Sequence, residues 1–123
     1  MLNFYKGKKV LITGATGFKG SWLCLWLNML GAHVIGTGLK KNSQKLFYQL
    51  GLEKKIKVYY LDVRENQKLK KIIFRHKPSI IFHFAAQPLV RESYKFPIQT
   101  YEINIMGTIN ILDIAYKAGF IKS

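Results

Sequence analysis

The sequence predicts an α/β fold in which helices cover both faces of a parallel sheet. Two observations support this prediction. Short apolar runs alternate along the chain with longer segments of helical spacing, and such alternation is typical of β-α-β units whose right-handed crossovers keep successive strands parallel. The glycine-rich segment TGATGFKG, residues 13–20, also follows the first apolar run directly. A glycine-rich turn from a strand into a helix is typical of doubly wound sheets.

Four segments are predicted to be strands because they are short, apolar and rich in β-branched or aromatic residues. They are residues 8–13, 33–37, 57–61 and 79–84. Pro78 precedes the last of them and separates it from the helix before it. The sequence therefore predicts a doubly wound parallel sheet that is truncated after about four strands.

Helices are predicted where apolar residues recur at helical spacing. They span residues 18–30, 43–50, 65–75 and 100–118. Gly31 and Gly119 follow the first and the last of these helices and are expected to cap them. The first helix is apolar almost all round, and we expect Trp22 and Trp26, one turn apart, to pack in the core.

The segment TGATGFKG has the features of a phosphate-binding turn. Gly14 and Gly17 lack side chains where the backbone must approach a ligand, and Gly20 allows the following helix to pack tightly on the sheet. The unpaired N–H groups and the partial positive charge at a helix start suit a pyrophosphate. An ordinary glycine turn is the alternative, but the strand before it and the helix after it favour a Rossmann-like dinucleotide site.

Further polar or small residues follow the other predicted strands. Ligands of such sheets lie beyond the carboxyl ends of the strands, where the strand order reverses. Besides the glycine loop after the first strand, the residues expected at this edge are residues 37–41 after the second strand, Asp62 and Val63 after the third, and Ala85, Ala86 and Gln87 after the fourth. Four separate segments therefore converge on one edge, which supports a dinucleotide site more strongly than the glycines alone.

The end of the second strand leaves the choice of cofactor open. A carboxylate that binds the adenosine ribose is usual there, but the segment reads Gly36-Thr37-Gly38-Leu39-Lys40-Lys41. Lys40 and Lys41 could bind a 2′-phosphate, which would favour NADP. Alternatively, Thr37 could bond the ribose hydroxyl, which leaves NAD possible, and a solvated loop is the third reading of the two lysines.

Composition excludes several classes of protein. A length of 123 residues with 49% hydrophobic residues suits one domain with a core. No run of 18 apolar residues and no apolar signal-peptide core occurs, so a cytoplasmic location without a membrane partner is expected. Cys24 is the single cysteine, which excludes an internal disulfide or a cysteine metal cluster.

The net charge of +14 raises the question of a nucleic-acid partner. Only Arg64, Arg75 and Arg91 among the 20 basic residues are arginines, whereas base recognition depends heavily on arginine. The lysines are scattered over several clusters. A solvated basic surface is therefore favoured over a nucleic-acid interface.

Four longer segments resemble a known family. They are TGATGFKGSWL, YYLDVRE, FHFAAQPLVRESY and TYEINIMGT, in this order. Together they resemble the N-terminal part of the CDP-glucose 4,6-dehydratases, which belong to the extended short-chain dehydrogenase/reductases. GFKGSWL and AAQPLVR are the more specific segments, since the glycine loop and the N-x-x-G-T segment at residues 104–108 recur in many nucleotide-sugar epimerases and dehydratases.

The resemblance implies an activity. The family binds NAD and uses it without net consumption: hydride leaves sugar C4, water is eliminated across C5 and C6, and hydride returns to C6. The product is a 4-keto-6-deoxy sugar nucleotide. By resemblance, the complete enzyme binds a sugar nucleotide and forms a homo-oligomer.

The resemblance also implies roles for individual residues. The pyrophosphate loop would be Gly14, Thr16, Gly17, Phe18 and Gly20, with Lys19 nearby as a counter-charge. Asp62 and Val63 would face the adenine, and Ala85, Ala86 and Gln87 would line the path to the nicotinamide ribose. Asn104 matches the helix asparagine that supports the family's active site, and Arg91, Ser93 and Tyr94 would lie towards the sugar nucleotide.

The family's catalytic groups are expected beyond this sequence. Its hydroxyl residue that polarises the C4 oxygen, its Tyr-x-x-x-Lys base and its C-terminal substrate domain would follow Ser123. Residues 1–123 are therefore expected to be a partial NAD(P)-binding Rossmann domain, inactive alone and prone to associate through uncovered apolar surface. The alternatives are a non-catalytic nucleotide-binding or cofactor-binding module and a fragment of another nucleotide-sugar epimerase or dehydratase. The three histidines are expected to be structural.

Overall fold

One parallel sheet organises the chain. The computed structural model describes residues 3–40 and 45–123. Within these ranges the strands are β1 (Lys9–Thr13), β2 (His33–Gly38), β3 (Lys57–Tyr60) and β4 (Ile80–His83). They pair in parallel in the order β3-β2-β1-β4. The predicted doubly wound α/β fold is confirmed, and the strand order reverses at β1.

Helices connect the strands and follow the last of them. In the described ranges they are α1 (Phe18–Met29), α2 (Lys45–Gln49), α3 (Leu52–Lys55), α4 (Asn66–His76), α5 (Val90–Lys95), α6 (Pro97–Tyr101) and α7 (Gly107–Ala118). Residues 43 and 44 of the second predicted helix lie outside the described residues. The sequence did not predict α3 and α5.

The prediction of one continuous α-helix over residues 100–118 is wrong. Helical structure begins at Pro97, which suits a first helical turn because proline needs no N–H partner there. A π-helical turn, Glu102–Met106, then separates α6 from α7. This turn carries Asn104 and is described below with the loop that it contacts.

Two apolar cores lie on the two faces of the sheet. Val10 and Ile12 of β1 belong to the core beneath α1, whereas Leu11 belongs to the core beneath α4 and α7. Successive strand residues point to opposite faces, and all three are fully buried. β1 is thus the central strand, and the turn after it lies at the centre of the sheet edge.

The prediction that Trp22 and Trp26 pack in the core is wrong. The side of α1 that meets the sheet carries Gly20, Ser21, Cys24 and Leu27. Residues four apart share one helical face, so Trp22 and Trp26 lie together on the other side, where they are 48% and 59% exposed.

The predicted helix caps are present. Gly31 and Gly119 follow α1 and α7 with left-handed φ values of +79° and +67°. Beyond Gly119 the chain turns along β4, where Lys122 N donates to Ser79 O and Ile81 N donates to Ser123 O, both at 2.8 Å. Among the described helices, none combines the length and apolar character needed to cross a membrane.

Candidate functional site

The glycine loop follows β1 and lies between the ends of β2 and β4, the two strands that flank β1. Gly14 has a φ of +68°, and a β-carbon there would lie 2.6 Å from the carbonyl carbon of Phe84 after β4. On the other side, Ala15 N donates to Thr37 O of β2 at 3.0 Å. Glycine at position 14 is therefore required by both its backbone conformation and the closeness of the loop after β4.

The first turn of α1 packs directly on this loop. A β-carbon at Gly20 would overlap the carbonyl group of Gly14, so the close approach expected at Gly20 is present. The Ser21 hydroxyl lies 2.7 Å from Gly17 O and 3.2 Å from Ala15 O. Sequence reasoning did not assign Ser21 a role, although it lies in the family-like segment GFKGSWL.

The electrostatics of this turn favour an anion. The helical hydrogen bonds of α1 begin with Ser21 N to Gly17 O at 2.9 Å, so the N–H groups of Phe18, Lys19 and Gly20 precede them. No acidic residue lies in the first turn of α1, and Lys19 is exposed there. The helix start and Lys19 therefore present positive charge together.

The loop after β2 contacts the glycine loop closely. Thr16 Oγ1 donates to Leu39 O at 3.0 Å, and a β-carbon at Gly38 would lie 2.5 Å from Thr16 Oγ1. Thr37 is buried, and the Lys40 Nζ lies 5.6 Å from the centre of the Tyr60 ring. Lys41 lies outside the described residues.

After β3, the Asp62 carboxylate is held by Arg64. Arg64 Nε donates to Asp62 Oδ1 at 3.0 Å, Nη2 donates to Oδ2 at 2.9 Å, and the Arg64 backbone N–H donates to Oδ1 at 2.9 Å. Arg64 Nη1 also donates to Glu102 of the π-helical turn at 3.1 Å. Hydrogen bonding to Asp62 raises the pKa of Arg64 above its usual value.

Arg64 was not among the predicted site residues. The sequence feature that could have identified Arg64 as a site residue is its position two residues after Asp62 in the segment YYLDVRE. Val63, between them, is buried beneath Gly107 of α7. The side chain of Val63 therefore contributes to the core, and only its backbone could face a ligand.

After β4, the predicted residues Gln87 and Asn104 lie in direct contact. Gln87 N donates to Asn104 Oδ1 at 2.8 Å, and Asn104 Nδ2 donates to Gln87 O at 3.2 Å. The side chain of Asn104 thus binds both backbone groups of Gln87. π-Helical turns are frequent at functional sites, and this one places Asn104 against loop 85–87.

His83 lies next to this loop, at the end of β4. Its Nδ1 lies 2.7 Å from Thr13 Oγ1 and its Nε2 lies 3.1 Å from Thr108 Oγ1. His76 contacts the Tyr59 hydroxyl at 2.7 Å. Both rings are bonded within the fold, whereas His33 is exposed at the start of β2.

The three residues predicted to face a sugar nucleotide lie apart from the glycine loop on α5. Arg91 and Tyr94 are exposed, and Ser93 Oγ donates to Val90 O of its own helix at 2.7 Å. Within the described residues, no hydrogen bond or ion pair joins Arg91, Ser93 or Tyr94 to the glycine loop. Their role stays a prediction.

The strand order and the glycine loop at its reversal define a Rossmann-like domain. The sequence model of the family described as GDP-mannose 4,6 dehydratase matches residues 11–123. The chain belongs to this family.

Individual relatives agree with this assignment. The chain is 47% identical over 122 residues to the CDP-glucose 4,6-dehydratase of Salmonella typhimurium. This match covers 98% of the chain and 34% of that protein. It is 34% identical over 114 residues to a UDP-glucose 4-epimerase of Rhizobium meliloti, and this match covers 93% of the chain and 33% of that protein. The resemblance to the CDP-glucose 4,6-dehydratases is confirmed, and the chain spans about a third of the length of these relatives.

Solved structures share the fold. An epimerase of Methanothermobacter thermautotrophicus has a TM-score of 0.85 at 28% identity, with 96% of this chain and 34% of that chain covered. The UDP-glucose 4-epimerase of Stenotrophomonas maltophila, with bound NAD and formylated UDP-arabinopyranose, has a TM-score of 0.81 at 29% identity. That match covers 91% of this chain and 34% of the epimerase.

Proposed function

We propose that this chain is the NAD-binding part of a nucleotide-sugar 4,6-dehydratase that converts CDP-glucose to CDP-4-keto-6-deoxyglucose. The observation that carries the proposal is the glycine loop at the strand-order reversal, packed against α1 and held by the loops after β2 and β4. The sugar-nucleotide class is supported by the 47% identity to a CDP-glucose 4,6-dehydratase, compared with 34% to a UDP-glucose 4-epimerase.

The residues of the glycine loop fit the pyrophosphate of such a cofactor. Gly14 and Gly20 leave no room for a β-carbon, and the first turn of α1 lacks an acidic residue. The residues that would bind the pyrophosphate are Gly14, Thr16, Gly17, Phe18 and Gly20, mainly through backbone N–H groups, with Lys19 as the counter-charge.

The neighbouring loops would hold the two ends of the cofactor. Asp62, oriented by Arg64, and the backbone of Val63 would contact the adenine. Ala85, Ala86 and Gln87 would line the path to the nicotinamide ribose, in a loop whose position Asn104 holds. Arg91, Ser93 and Tyr94 would lie towards the sugar nucleotide.

In the proposed reaction these residues bind and orient, and none of them transfers a proton. NAD, when bound, supplies a hydride acceptor for sugar C4 and a hydride donor for C6. Acid-base chemistry would require the family's hydroxyl residue and Tyr-x-x-x-Lys pair, to which no residue of the chain is assigned. We therefore expect a polypeptide of these 123 residues to bind cofactor without dehydrating CDP-glucose.

We propose NAD rather than NADP. The similar UDP-glucose 4-epimerase structure of Stenotrophomonas maltophila, at 29% identity, contains NAD by its description. Lys40, the described lysine at the end of β2, lies over the Tyr60 ring. Parallel titrations with NAD and NADP test this choice, and tighter binding of NADP would contradict it.

A negative charge introduced at position 17 tests cofactor binding. Gly17 is the N-cap of α1 and has extended backbone angles, φ −75° and ψ 174°, which aspartate and asparagine both adopt at this position. Gly17→Asp would place a carboxylate beside the pyrophosphate, whereas Gly17→Asn has the same shape without the charge. We expect Gly17→Asp to weaken NAD binding at least tenfold, about 1.4 kcal/mol, relative to Gly17→Asn.

Isothermal titration of both variants with NAD measures this difference, and thermal melting checks their folding. Because aspartate and asparagine are both good N-cap residues, the two variants should melt at similar temperatures. Equal NAD affinities of the two variants would contradict the proposed pyrophosphate site. Absence of NAD binding by the unmodified chain would contradict the proposed cofactor role.

A second candidate activity is that of a UDP-glucose 4-epimerase, which several relatives carry by name. Product analysis by NMR of the protein that contains this chain separates the two. A dehydratase converts C6 of CDP-glucose into a methyl group, whereas an epimerase inverts C4 of its substrate and leaves C6 unchanged. Epimerised UDP-sugar without a 6-deoxy product would overturn the dehydratase proposal. Cofactor binding without either product would favour a non-catalytic module.

A further inference from the structure

His83 links the end of β1 to the loop after β4. The Thr13 hydroxyl oxygen accepts a hydrogen bond from Ala85 N at 3.2 Å. Phe84 N lies 3.1 Å from this oxygen and 3.1 Å from Thr13 O, and its N–H is shared between them. The Thr13 hydroxyl still has its proton to donate to His83 Nδ1, 2.7 Å away. This geometry favours a ring nitrogen that accepts and carries no proton on this side.

The other ring nitrogen of His83, Nε2, must instead carry a proton. Thr108 Oγ1 donates to Asn104 O at 2.7 Å, and a carbonyl oxygen can only accept. The Thr108 hydroxyl has therefore used its proton and can only accept from His83 Nε2, at 3.1 Å. The contact with Thr108 thus requires a proton on Nε2, and the contact with Thr13 fits a neutral ring whose Nδ1 accepts.

The surroundings of His83 agree with a neutral ring. Burial lowers the pKa of His83 below its ordinary value of 6.5. Among the described residues, no charged side chain of β1, α7 or the adjoining loops adds to this shift. The two side chains that contact the ring nitrogens are the hydroxyls of Thr13 and Thr108.

We propose that neutral His83 is a positioning residue for loop 85–87. Through Thr13 it determines where the first residues of this loop leave β4, and through Thr108 it determines where the π-helical turn presents Asn104. Asn104 in turn binds both backbone groups of Gln87. The two ends of the loop are therefore held by one hydrogen-bonded chain. The proposed effect on cofactor affinity rests on the NAD-binding role proposed above.

Protonation of His83 would break this chain. A second N–H, on Nδ1, would face the Thr13 hydroxyl, whose oxygen already accepts from Ala85 N and shares the Phe84 N–H with Thr13 O. Because the pKa is lowered in the fold, the neutral arrangement is complete above pH 6.5 and is lost as the pH falls through the folded-state pKa of His83. The amide signals of Ala85 and Gln87 should follow that same titration.

NMR of the ¹⁵N-labelled chain tests this inference directly. Long-range ¹⁵N–¹H spectra read the tautomer and the pKa of His83, and amide spectra over the same pH range follow Ala85 and Gln87. We expect a proton on Nε2 and a shared midpoint for the ring and the two amides. A proton on Nδ1, or amide signals that do not move with the ring, would overturn the proposal.

A pair of variants separates positioning from simple packing. Thr108→Val removes the acceptor for His83 Nε2 but keeps the β-branched shape, whereas Thr108→Ser keeps the hydroxyl. We expect Thr108→Val to weaken NAD binding about threefold to tenfold, as for one neutral hydrogen bond, and to shift the Gln87 amide. Thr108→Ser should restore both to within about twofold. Equal NAD affinities and Gln87 signals for both variants would overturn the proposal.

The two proposals can fail separately. If the unmodified chain does not bind NAD, the cofactor role fails, but the shared pH midpoint of His83 and Gln87 still decides the positioning role. If Thr108→Val does not fold, the same titration of the unmodified chain decides it. NAD binding that is equally tight in both variants would leave the cofactor role intact and reject the positioning role of His83.

Discussion

Small residues make the candidate site possible because three backbone segments meet there. At Gly14 the loop after β4 occupies the space of a side chain, and at Gly20 the glycine loop itself does so. The spacing of these glycines is visible in the sequence, and it correctly predicted the close packing at Gly20. Gly14 was expected to let the backbone approach a ligand, and the contact with Phe84 was not predicted. The sequence does not show what each glycine contacts, because Phe84 lies far from Gly14 along the chain.

Two glycine substitutions distinguish backbone from side-chain contact. Gly→Ala in a helix is favourable by up to about 1 kcal/mol from propensity alone. At Gly20 the new β-carbon would overlap the backbone of Gly14, whereas at Gly107 it would lie 2.5 Å from the Cγ1 of buried Val63, whose side chain would have to shift. We expect Gly20→Ala to lower the free energy of unfolding by about 2 kcal/mol or more, and Gly107→Ala to lower it by a smaller amount, about 1 kcal/mol.

Urea unfolding of the two variants measures this difference. Gly107→Ala serves as the control for Gly20→Ala, because both substitutions add the same methyl group within a helix. Equal stability of Gly20→Ala and the unmodified chain would show that the glycine loop can move away from α1.

At the scale of elements, the π-helical turn determines how loop 85–87 is held. The turn lies between α6 and α7 and places Asn104 opposite Gln87. The sequence predicted one long helix there, because its apolar pattern continues through residues 102–106. Arg64 joins this turn to the loop after β3 through Glu102, a contact that helical periodicity does not reveal.

Substitution of Asn104 tests the contribution of this element. Asn104→Ala removes both hydrogen bonds to the Gln87 backbone, and we expect it to cost about 1–3 kcal/mol of unfolding free energy. Asn104→Asp keeps the acceptor for Gln87 N but places an oxygen that cannot donate against Gln87 O, so it should also lower the stability. Chemical denaturation compares both variants with the unmodified chain. An alanine variant as stable as the unmodified chain would contradict a role for these hydrogen bonds.

At the scale of the whole molecule, large apolar side chains remain exposed on several helices, among them α1 and α7. On α1 they include Trp22 and Trp26, and on α7 they include Leu112 and Tyr116, of which Tyr116 is 90% exposed. Contiguous apolar surface promotes association. We expect a polypeptide of these 123 residues to associate as its concentration rises, despite its net charge of +14.

Light scattering at increasing concentration measures this association. Trp26→Lys and Leu112→Lys test α1 and α7 separately, and Gln67→Lys, at an exposed position of α4, controls for the added charge. We expect Trp26→Lys or Leu112→Lys to reduce association and Gln67→Lys to leave it nearly unchanged. A monomer at all concentrations would contradict the prediction.

The sequence by itself determined the type and order of most elements, the parallel sheet and the position of the glycine loop, because strand and helix periodicities and glycine spacing are local properties. Short elements such as α3 and α5 escaped prediction because so few residues carry little periodic signal. Only the tertiary structure decided which side of α1 is buried, since Trp22 and Trp26 are as apolar as the residues that face the sheet.

The tertiary structure also decided the arrangement around His83. Thr13 and His83 are 70 positions apart, and neither residue indicates its partner in the sequence. They meet because β1 and β4 pair in parallel with Thr13 opposite His83. The ring's tautomer then follows from hydrogen bonds contributed by β1, the loop after β4 and α7, which no local pattern encodes.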